Sequence, residues 1–161
     1  MPADLDGMWA PDPLVTIADV FAIDDQVGDL MFLSGAICER AKGLRFLGSS
    51  LALHGLHCVR TWCARGVAPR IVLIDLNMPV IGGLDLLRDL KDLPATAAVP
   101  VALWTASLCP KDHIKARQLG AVEVFVKPFG REAMGRFARD LFERIRRPED
   151  DDPTRAFTRP V

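Results

Sequence analysis

Short apolar runs alternate with longer segments of helical periodicity along most of the chain. Apolar runs of this length between turn residues are typical of buried strands, and apolar residues three or four positions apart are typical of amphipathic helices. The pattern predicts strands at 20–23, 44–47, 71–74, 101–104 and 124–126. It predicts helices at 26–41, from beyond 50 to about 65, at 84–92, from 110 to about 120, and at 131–147. Strands that alternate with helices favour an α/β fold with a parallel sheet.

The second strand has two possible positions. Leu44 to Leu47 is apolar and precedes Gly48-Ser49-Ser50, which predicts a turn before the second helix. Gly55 is an alternative start for that helix, in which case the strand moves to 51–53. The sequence leaves both positions open.

Polar residues stand at the downstream ends of four predicted strands. Asp24 and Asp25 follow the first strand, Asp75 follows the third, Thr105 follows the fourth and Lys127 follows the fifth. In an open parallel sheet the ligand crevice lies beyond the carboxyl ends of the strands. The order therefore predicts one pocket that contains all five side chains.

Three carboxylates in one pocket repel each other, and a divalent cation with oxygen ligands relieves the repulsion. Mg²⁺ is favoured because it is usually shared between one or two carboxylates, waters and a phosphate. Asp75 is then the candidate nucleophile for a phosphoryl group, and Asp24 and Asp25 are candidate metal ligands. Taken singly, each residue has a structural explanation: a helix N-cap for the acidic pair, a turn for Asp75, a strand position for Thr105 and a solvated loop for Lys127.

The same residues resemble the receiver domains of two-component response regulators. The resemblance covers about 15–147 and rests on the acidic pair, Asp75-x-x-Met-Pro-x-x-Gly-Gly, Thr105-Ala106 and Lys127-Pro-Phe in that order. It implies a flavodoxin-like (βα)5 fold, doubly wound, with a five-stranded parallel sheet in the order 2-1-3-4-5. It also implies a switch operated by phosphorylation of an aspartate.

The resemblance further implies a role for each matched position. Asp75 is the phosphoacceptor, and the backbone carbonyl of Asn77 joins the carboxylates as a metal ligand. Thr105 donates its hydroxyl to a phosphoryl oxygen, and Lys127 supplies a fixed positive charge. The remaining matched residues are Ala106, which leaves room for the phosphoryl group, and Pro128, which has a structural role beside the site.

A receiver implies particular partners. The phosphodonor is expected to be a histidine kinase or a histidine phosphotransfer protein, and the downstream protein is unknown. The predicted buried stripe of the first helix consists of Val27, Leu30, Met31, Ile37, Cys38 and Ala41. Phe32 and Leu33 lie beside that stripe, and they are either partner contacts or part of a wide apolar face.

One position departs from the receiver pattern. Many receivers have an aromatic residue three positions before the lysine, and its ring turns inward upon phosphorylation. Here that position is Val124, and Phe125 points to the opposite face of the strand because side chains alternate. We therefore expect transmission through the loop after Thr105, where Ser107, Leu108 and Pro110 would change conformation.

Composition limits the remaining possibilities. The 161 residues suit one domain, and a net charge of −1 without a basic tract argues against a nucleic-acid surface. The chain has neither an apolar stretch of membrane-spanning length nor a secretion signal, so a cytoplasmic location without membrane association is expected. Residues 1–14 and 148–161 are predicted to be mobile tails because they contain several prolines and acidic residues.

Neither tail is long enough for an output domain, so a stand-alone receiver is expected, one that signals by protein binding or passes the phosphoryl group onward. A phosphorylation-independent binding module on the same scaffold is the alternative. An aspartyl-phosphate hydrolase of the haloacid dehalogenase type is a second rival, but it requires an Asp where this chain has Asn77. An enzyme that acts on a separate substrate is therefore not expected.

The cysteines and histidines suggest one further hypothesis. The four cysteines lack Cys-x-x-Cys spacing and are predicted to be reduced and mostly buried. His54, His57 and Cys58 share a helix face and form a candidate metal site, but the same segment has the apolar residues of an ordinary packed helix.

Overall fold

The computed structural model describes residues 11–151, without the side chains of Glu149 and Asp151. Five parallel strands form one sheet in the order β2-β1-β3-β4-β5. The strands are β1 (Val20–Ile23), β2 (Phe46–Ser49), β3 (Ile71–Ile74), β4 (Val101–Thr105) and β5 (Glu123–Val126). The predicted fold and strand order are confirmed.

Five α-helices connect or follow the strands. They are α1 (Val27–Arg40), α2 (Ala52–Ala64), α3 (Gly83–Asp92), α4 (Pro110–Gln118) and α5 (Arg131–Ile145). Pro110 occupies the first turn of α4, where its missing N–H has no helical partner to lose. A 3₁₀ turn (Pro148–Asp151) follows α5.

The sheet separates two apolar cores because alternate strand residues point to opposite faces. In β1, Phe21 and Ile23 pack with α2, α3 and α4, while Val20 and Ala22 pack with α1 and α5. All four of these residues are fully buried, as expected for a parallel strand that is covered on both sides.

The second strand lies two residues beyond the prediction of 44–47, and the alternative at 51–53 is also wrong. Phe46 pairs with Val20 and Ser49 pairs with Ile23. The helix that follows begins at Ala52, so Gly55 lies inside it. A Cβ at Gly55 would lie 2.5 Å from the Cδ1 of Ile23, so this glycine marks the close approach of α2 to β1.

The buried face of α1 also differs from the prediction. Its fully buried residues are Leu30, Leu33 and Ile37, whereas Met31 is 50% exposed and Cys38 is exposed. Ala41, just beyond the helix, is buried as predicted. The predicted stripe is thus rotated by part of a turn from the observed buried face. The apolar residues of this helix occupy more than one face, and packing against α5 determines which of these residues are buried.

The ordered domain extends beyond the predicted boundaries at 15 and 147. Pro11 and Pro13 are buried, and the carbonyl of Pro13 accepts a hydrogen bond of 2.8 Å from Arg65 Nη1 at the end of α2. At the other end, Asp150 pairs with Arg70. Residues 11–14 and 148–150, which fall in the predicted mobile tails, therefore contact the domain in the structure; the mobility of the tails stays a prediction, and the rest of each predicted tail lies outside the described residues.

The predicted burial of the cysteines is only partly correct. Cys58 is buried and Cys63 is half-buried, whereas Cys38 and Cys109 are exposed, and all four thiols are free. Among residues 11–151, no helix combines the length and apolar character that a bilayer crossing requires.

Candidate functional site

The acidic residues converge where β1 and β3 end side by side. Asp24 and Asp25 follow Ile23, and Asp75 follows Ile74, the Cα partner of Ile23 in the sheet. Asp75 N donates a hydrogen bond of 2.9 Å to the carbonyl of Ile23, which ties the two strand ends together. One oxygen from each of the three carboxylates lies within 4.8 Å of the other two.

Lys127 extends into the same pocket from the end of β5. Its Nζ lies 2.7 Å from Asp24 Oδ2, 2.8 Å from Asp29 Oδ2 and 3.4 Å from Asp75 Oδ1. The ammonium also lies 5.0 Å from the ring centroid of Trp104, within the range of a cation–π contact. Burial opposes the charge of Lys127, but the carboxylates outweigh burial and raise its pKa, so the ammonium stays charged.

Asp29 was not among the residues predicted for the site. It is the third residue of α1, and the sequence predicted a helix at this position but no role for Asp29. The available signal was its position in the first turn of the predicted helix, shortly after the acidic pair, which places an additional carboxylate at the same edge of the sheet.

The carboxylates carry more negative charge than Lys127 neutralises. Burial is the main cause that raises the pKa of Asp24 to about 6, and the nearby charge of Asp75 adds to it, while Lys127 and the backbone N–H of Gln26 act in the opposite direction. Asp25 Oδ1 is buried and has no hydrogen-bond partner among the described residues. Four carboxylates, Asp29 included, against one ammonium leave a charge of −3 when all are ionised, and a divalent cation would reduce this excess, so the oxygen ligands of Asp24, Asp25 and Asp75 fit such an ion.

Thr105 is the last residue of β4 and lies at the same edge of the sheet. It is fully buried, and its Oγ1 accepts a hydrogen bond of 3.1 Å from Ser107 N. Its carbonyl accepts a bond of 2.8 Å from Lys127 N, so the ends of β4 and β5 are held together. The loop that follows is tied to α4, since Ser107 O lies 2.9 Å from His113 Nε2 and Ser107 Oγ lies 3.4 Å from Asp112 Oδ2.

The remaining predicted site residues lie in the loops beside the pocket. Asn77 is exposed in the loop between β3 and α3, and Ala106 is exposed directly after Thr105. Pro128 is half-buried directly after Lys127. These positions agree with the sequence order of the motif, but no contact of these side chains with the acidic group is described.

Gly83 allows α3 to begin directly against the backbone that follows β3. Its N–H donates a hydrogen bond of 2.9 Å to the carbonyl of Leu76. A Cβ at this position would lie 2.2 Å from the carbonyl oxygen of Asp75, which is a backbone atom that cannot move aside as a side chain can. The second glycine of the Gly-Gly pair is therefore required by close packing.

The structure gives little support to the candidate metal site formed by His54, His57 and Cys58. His54 Nδ1 lies 3.2 Å from Ser49 Oγ, and its ring nitrogens lie 3.8 Å from Cys58 Sγ, but His57 is exposed and does not join them. Burial raises the pKa of the Cys58 thiol to about 12, so the thiolate that a metal needs is disfavoured. Within residues 11–151, the three-residue group with metal-ligating geometry is the acidic one.

The predicted docking pair of α1 separates into one exposed and one buried residue. Phe32 is 43% exposed and borders a groove of about 300 Å³ between α1 and α5, together with Met31, Arg131 and Met134. Leu33 is fully buried in the core between the sheet and these two helices, so its assignment as a partner contact is wrong.

Val124 and Phe125 lie on opposite faces of β5, as predicted. Val124 packs against the core formed with α2, α3 and α4. Phe125 faces α5, where its ring centroid lies 5.2 Å from that of Phe137.

The comparisons with known proteins agree with this geometry. The sequence profile of the response regulator receiver domain matches residues 20–138. The chain belongs to this family. Receiver domains are signalling phosphoacceptors, which is the general activity of the family.

Among sequence relatives, the receiver is 31% identical over 94 residues to the probable transcriptional regulator ycf29 of Porphyra purpurea, an alignment that covers 58% of this chain and 44% of the relative. It is 29% identical over 112 residues to the transcriptional regulatory protein PrrA of Mycobacterium leprae, and that alignment covers 68% of this chain and 43% of the relative. The chain thus spans less than half the length of these curated relatives.

Solved structures share the receiver fold. The phosphorylated cyanobacterial phytochrome response regulator RcpA matches with a TM-score of 0.70 at 16% identity, covering 81% of this chain and 94% of that chain. Chemotaxis protein CheY4 of Vibrio cholerae matches with a TM-score of 0.63 at 20% identity, covering 81% and 100%. The Mn²⁺-bound form of response regulator Rcp1 matches with a TM-score of 0.65 at 16% identity, covering 77% and 91%.

Proposed function

We propose that Asp75 accepts a phosphoryl group from a phosphohistidine of a histidine kinase or histidine phosphotransfer protein. The observation that carries the proposal is the convergence of Asp24, Asp25 and Asp75 with Lys127, whose Nζ lies 3.4 Å from Asp75 Oδ1. A carboxylate beside a fixed ammonium and a cluster that fits a divalent cation suits transfer of a charged group, where alignment and charge neutralisation provide most of the catalysis.

The transfer is a displacement at phosphorus. A carboxylate oxygen of Asp75 forms the new O–P bond while the N–P bond of the phosphohistidine breaks, and the bonding electrons return to the imidazole nitrogen. Thr105 donates its hydroxyl to a phosphoryl oxygen, and Lys127 balances the charge on that group. Ala106 has a small side chain and leaves room for it.

Asp24, Asp25, Asp75 and the backbone carbonyl of Asn77 would hold Mg²⁺. When bound, the ion would supply positive charge to phosphoryl oxygens and reduce the repulsion between the carboxylates. The unpartnered Asp25 Oδ1 and the oxygen-only donor set support this assignment. The structural neighbour Rcp1 has an Mn²⁺-bound form, which supports a divalent ion for this chain.

Transmission of the phosphorylated state would run through the loop after β4. The Thr105 hydroxyl accepts a hydrogen bond from the N–H of Ser107, and Ser107 contacts Asp112 and His113 of α4. If the hydroxyl turns toward a phosphoryl group, its hydrogen bond with Ser107 N breaks. Because Ser107 also contacts α4, a movement of Ser107 would be passed to that helix. Heteronuclear NMR with and without a phosphoryl mimic should show large shifts at 105–112, and unchanged signals there would contradict this route.

Docking of the phosphodonor would use α1, with Phe32 and the groove beside it. Signalling would follow by phosphorylation-dependent binding of a downstream protein or by onward transfer, and a cytoplasmic location is consistent with both. The alternative is phosphorylation-independent binding on the same scaffold, and the replacement of the usual aromatic residue by Val124 is the observation that favours it. A partner that binds Asp75→Ala as tightly as the wild type would establish the alternative.

The first test is the intact mass of the protein after incubation with Mg²⁺ and acetyl phosphate. We expect one labile phosphoryl adduct that requires Mg²⁺ and is absent in Asp75→Ala. Asp85→Ala is the matched control, because Asp85 is an exposed carboxylate of the neighbouring helix that pairs only with Arg88 among the contacts described. Absence of an adduct with both acetyl phosphate and a phosphohistidine donor would contradict the proposal.

A further inference from the structure

Asp29 contacts the acceptor pocket but has no role in the transfer described above. Its carboxylate is 43% exposed, and its Oδ2 lies 2.8 Å from Lys127 Nζ. It lies outside the three-carboxylate group that fits a cation. Its described contact with the site is therefore through Lys127.

The Lys127 ammonium lies at unequal distances from three carboxylates. Its contacts with Asp24 and Asp29 are 2.7 and 2.8 Å, whereas its contact with Asp75 is 3.4 Å. The contact with Asp29 is a hydrogen bond, whereas Asp24 Oδ2 lies close to the ammonium without hydrogen-bond geometry. The weakest of the three contacts is thus to the residue that would carry the phosphoryl group.

From this geometry we infer that Asp29 is a positioning residue that holds the Lys127 ammonium away from Asp75 and competes with the phosphoryl group for it. The inference rests on the proposed function, since it concerns the phosphorylated form of Asp75. Of the two close partners, Asp24 belongs to the cation group, whereas Asp29 is the exposed one and can be replaced by solvent.

Two physical effects act in the same direction. A phosphoryl group carries a charge of about −1.5 to −2 at neutral pH, so it attracts Lys127 and repels the carboxylate of Asp29. Pairing of Lys127 with the phosphoryl group then requires that its bond with Asp29 lengthen or break. Asp29 therefore disfavours the phosphorylated state relative to the free state.

The test measures the affinity for beryllofluoride, a phosphoryl mimic, in the presence of Mg²⁺ in Asp29→Asn. Removal of the competing charge should tighten binding by roughly fivefold, the lower end of typical coupling between sites, because the exposed carboxylate is partly screened. Asp29→Glu retains the charge and should restore affinity toward that of the wild type. The tryptophan fluorescence of the full chain provides the signal, since Trp104 lies beside Lys127.

Asp85→Asn is the matched control. Asp85 is the third residue of α3, as Asp29 is the third residue of α1, and both helices begin at the carboxyl edge of the sheet. Its carboxylate pairs with Arg88 rather than with Lys127. An equal increase of affinity in Asp85→Asn would show a general effect of net charge and would overturn the inference.

A double-mutant cycle separates action through Lys127 from direct repulsion of the mimic. In a Lys127→Met background, the change Asp29→Asn should have no effect on affinity, and a full effect there would overturn the inference. A second readout needs no metal: the ¹H–¹⁵N signal of the Lys127 ammonium in the metal-free protein should shift in Asp29→Asn and stay unchanged in Asp85→Asn. An unchanged signal in Asp29→Asn would also overturn it.

The outcomes distinguish this inference from the proposed function. If the wild type binds the mimic and forms the Asp75 adduct but Asp29→Asn does not tighten binding, the inference about Asp29 fails and the phosphoacceptor proposal stands. If the wild type forms no adduct and does not bind the mimic, both fail.

Discussion

Val80 is the one non-glycine residue of 11–151 with a positive φ, 69°. A β-branched side chain in this region crowds its own backbone, and Val80 gains no packing in return because it is 99% exposed. The residue lies in the loop between β3 and α3, five positions after Asp75. The loop therefore keeps a strained backbone next to the proposed acceptor site.

Val80→Asn should stabilise the protein by about 0.5–1 kcal/mol, because asparagine tolerates a positive φ and no buried contact is lost. Urea denaturation of the metal-free protein measures the change. Val122→Asn is the control, since Val122 is also exposed but lacks a positive φ. A gain of equal size in both variants would show that strain at Val80 is not the cause.

The acidic group determines how the protein should respond to a divalent cation. Mg²⁺ at 10 to 100 times its dissociation constant should raise the free energy of unfolding by about 1.4–2.7 kcal/mol, because under the proposed assignment it binds the carboxylate cluster of the folded state alone. Asp25→Asn should remove most of this gain. Thermal unfolding with Mg²⁺ or EDTA measures it, and Glu39→Gln, at the other end of α1, should retain it. A full gain in Asp25→Asn would contradict the assignment of Asp25 as a ligand.

Among the structural elements, α3 is positioned by a glycine rather than by its side chains alone. A Cβ at Gly83 would meet the carbonyl oxygen of Asp75 at 2.2 Å, so α3 or the loop between β3 and α3 would have to move. Gly55 in α2 makes a similar close approach at 2.5 Å, but to the side chain of Ile23. Helix starts and crossings of this sheet thus depend on the absence of single methyl groups.

Gly83→Ala should destabilise the protein by about 3 kcal/mol, the upper end of typical overpacking costs, because the clash involves backbone. Gly35→Ala is the matched control: Gly35 lies inside α1, and a Cβ there would meet nothing within 4 Å. That variant should gain about 0.5–1 kcal/mol from helix propensity. Urea denaturation compares the two, and similar stability of both variants would contradict the packing argument.

At the scale of the whole molecule, a network of ion pairs connects the amino-terminal ends of the strands, at the edge of the sheet opposite the proposed site. Asp19 accepts hydrogen bonds from Arg45 N and Nε, both at 2.9 Å, and from Arg70 Nε at 3.2 Å. Arg70 in turn donates to Asp150 Oδ1 at 2.9 Å and to the carbonyl of Ile145. The starts of β1, β2 and β3 are thereby joined to the segment after α5.

Asp19→Asn should destabilise the protein by about 3 kcal/mol at pH 7, the lower end for breaking a buried pair, because Arg45 is 46% exposed. Burial alone would raise the pKa of Asp19, but its bonds and charge interactions with Arg45 and Arg70 outweigh burial and lower it. The stabilisation is therefore complete above the ordinary value of 3.8 and is lost as the pH falls through the lower folded pKa. Urea denaturation from pH 7 to pH 3 should show the difference in stability between the two proteins begin to narrow below pH 3.8, and a constant difference would contradict the argument.

Much of the fold followed from local patterns, and the errors have a common cause. β1, β3, β4 and β5 and all five helices were predicted within two residues at most ends, because apolar runs and helical spacing differ clearly. β2 was displaced because Gly48 and Ser49 suggest a turn, whereas pairing with β1 keeps them in the strand. Gly55 suggested a helix start, whereas it serves the contact with Ile23.

The sequence by itself determined the parallel α/β architecture and predicted that Asp24, Asp25, Asp75 and Lys127 lie together at one edge of the sheet, because strand periodicity and the order of polar groups at strand ends are local properties of the chain. Only the tertiary structure decided that Leu33 is buried, that residues 11–14 and 148–151 join the domain, and that Asp29 shares Lys127 with Asp24 and Asp75. These features depend on contacts between segments far apart in sequence, in the case of Asp29 and Lys127 98 positions apart. No local pattern encodes such a distance.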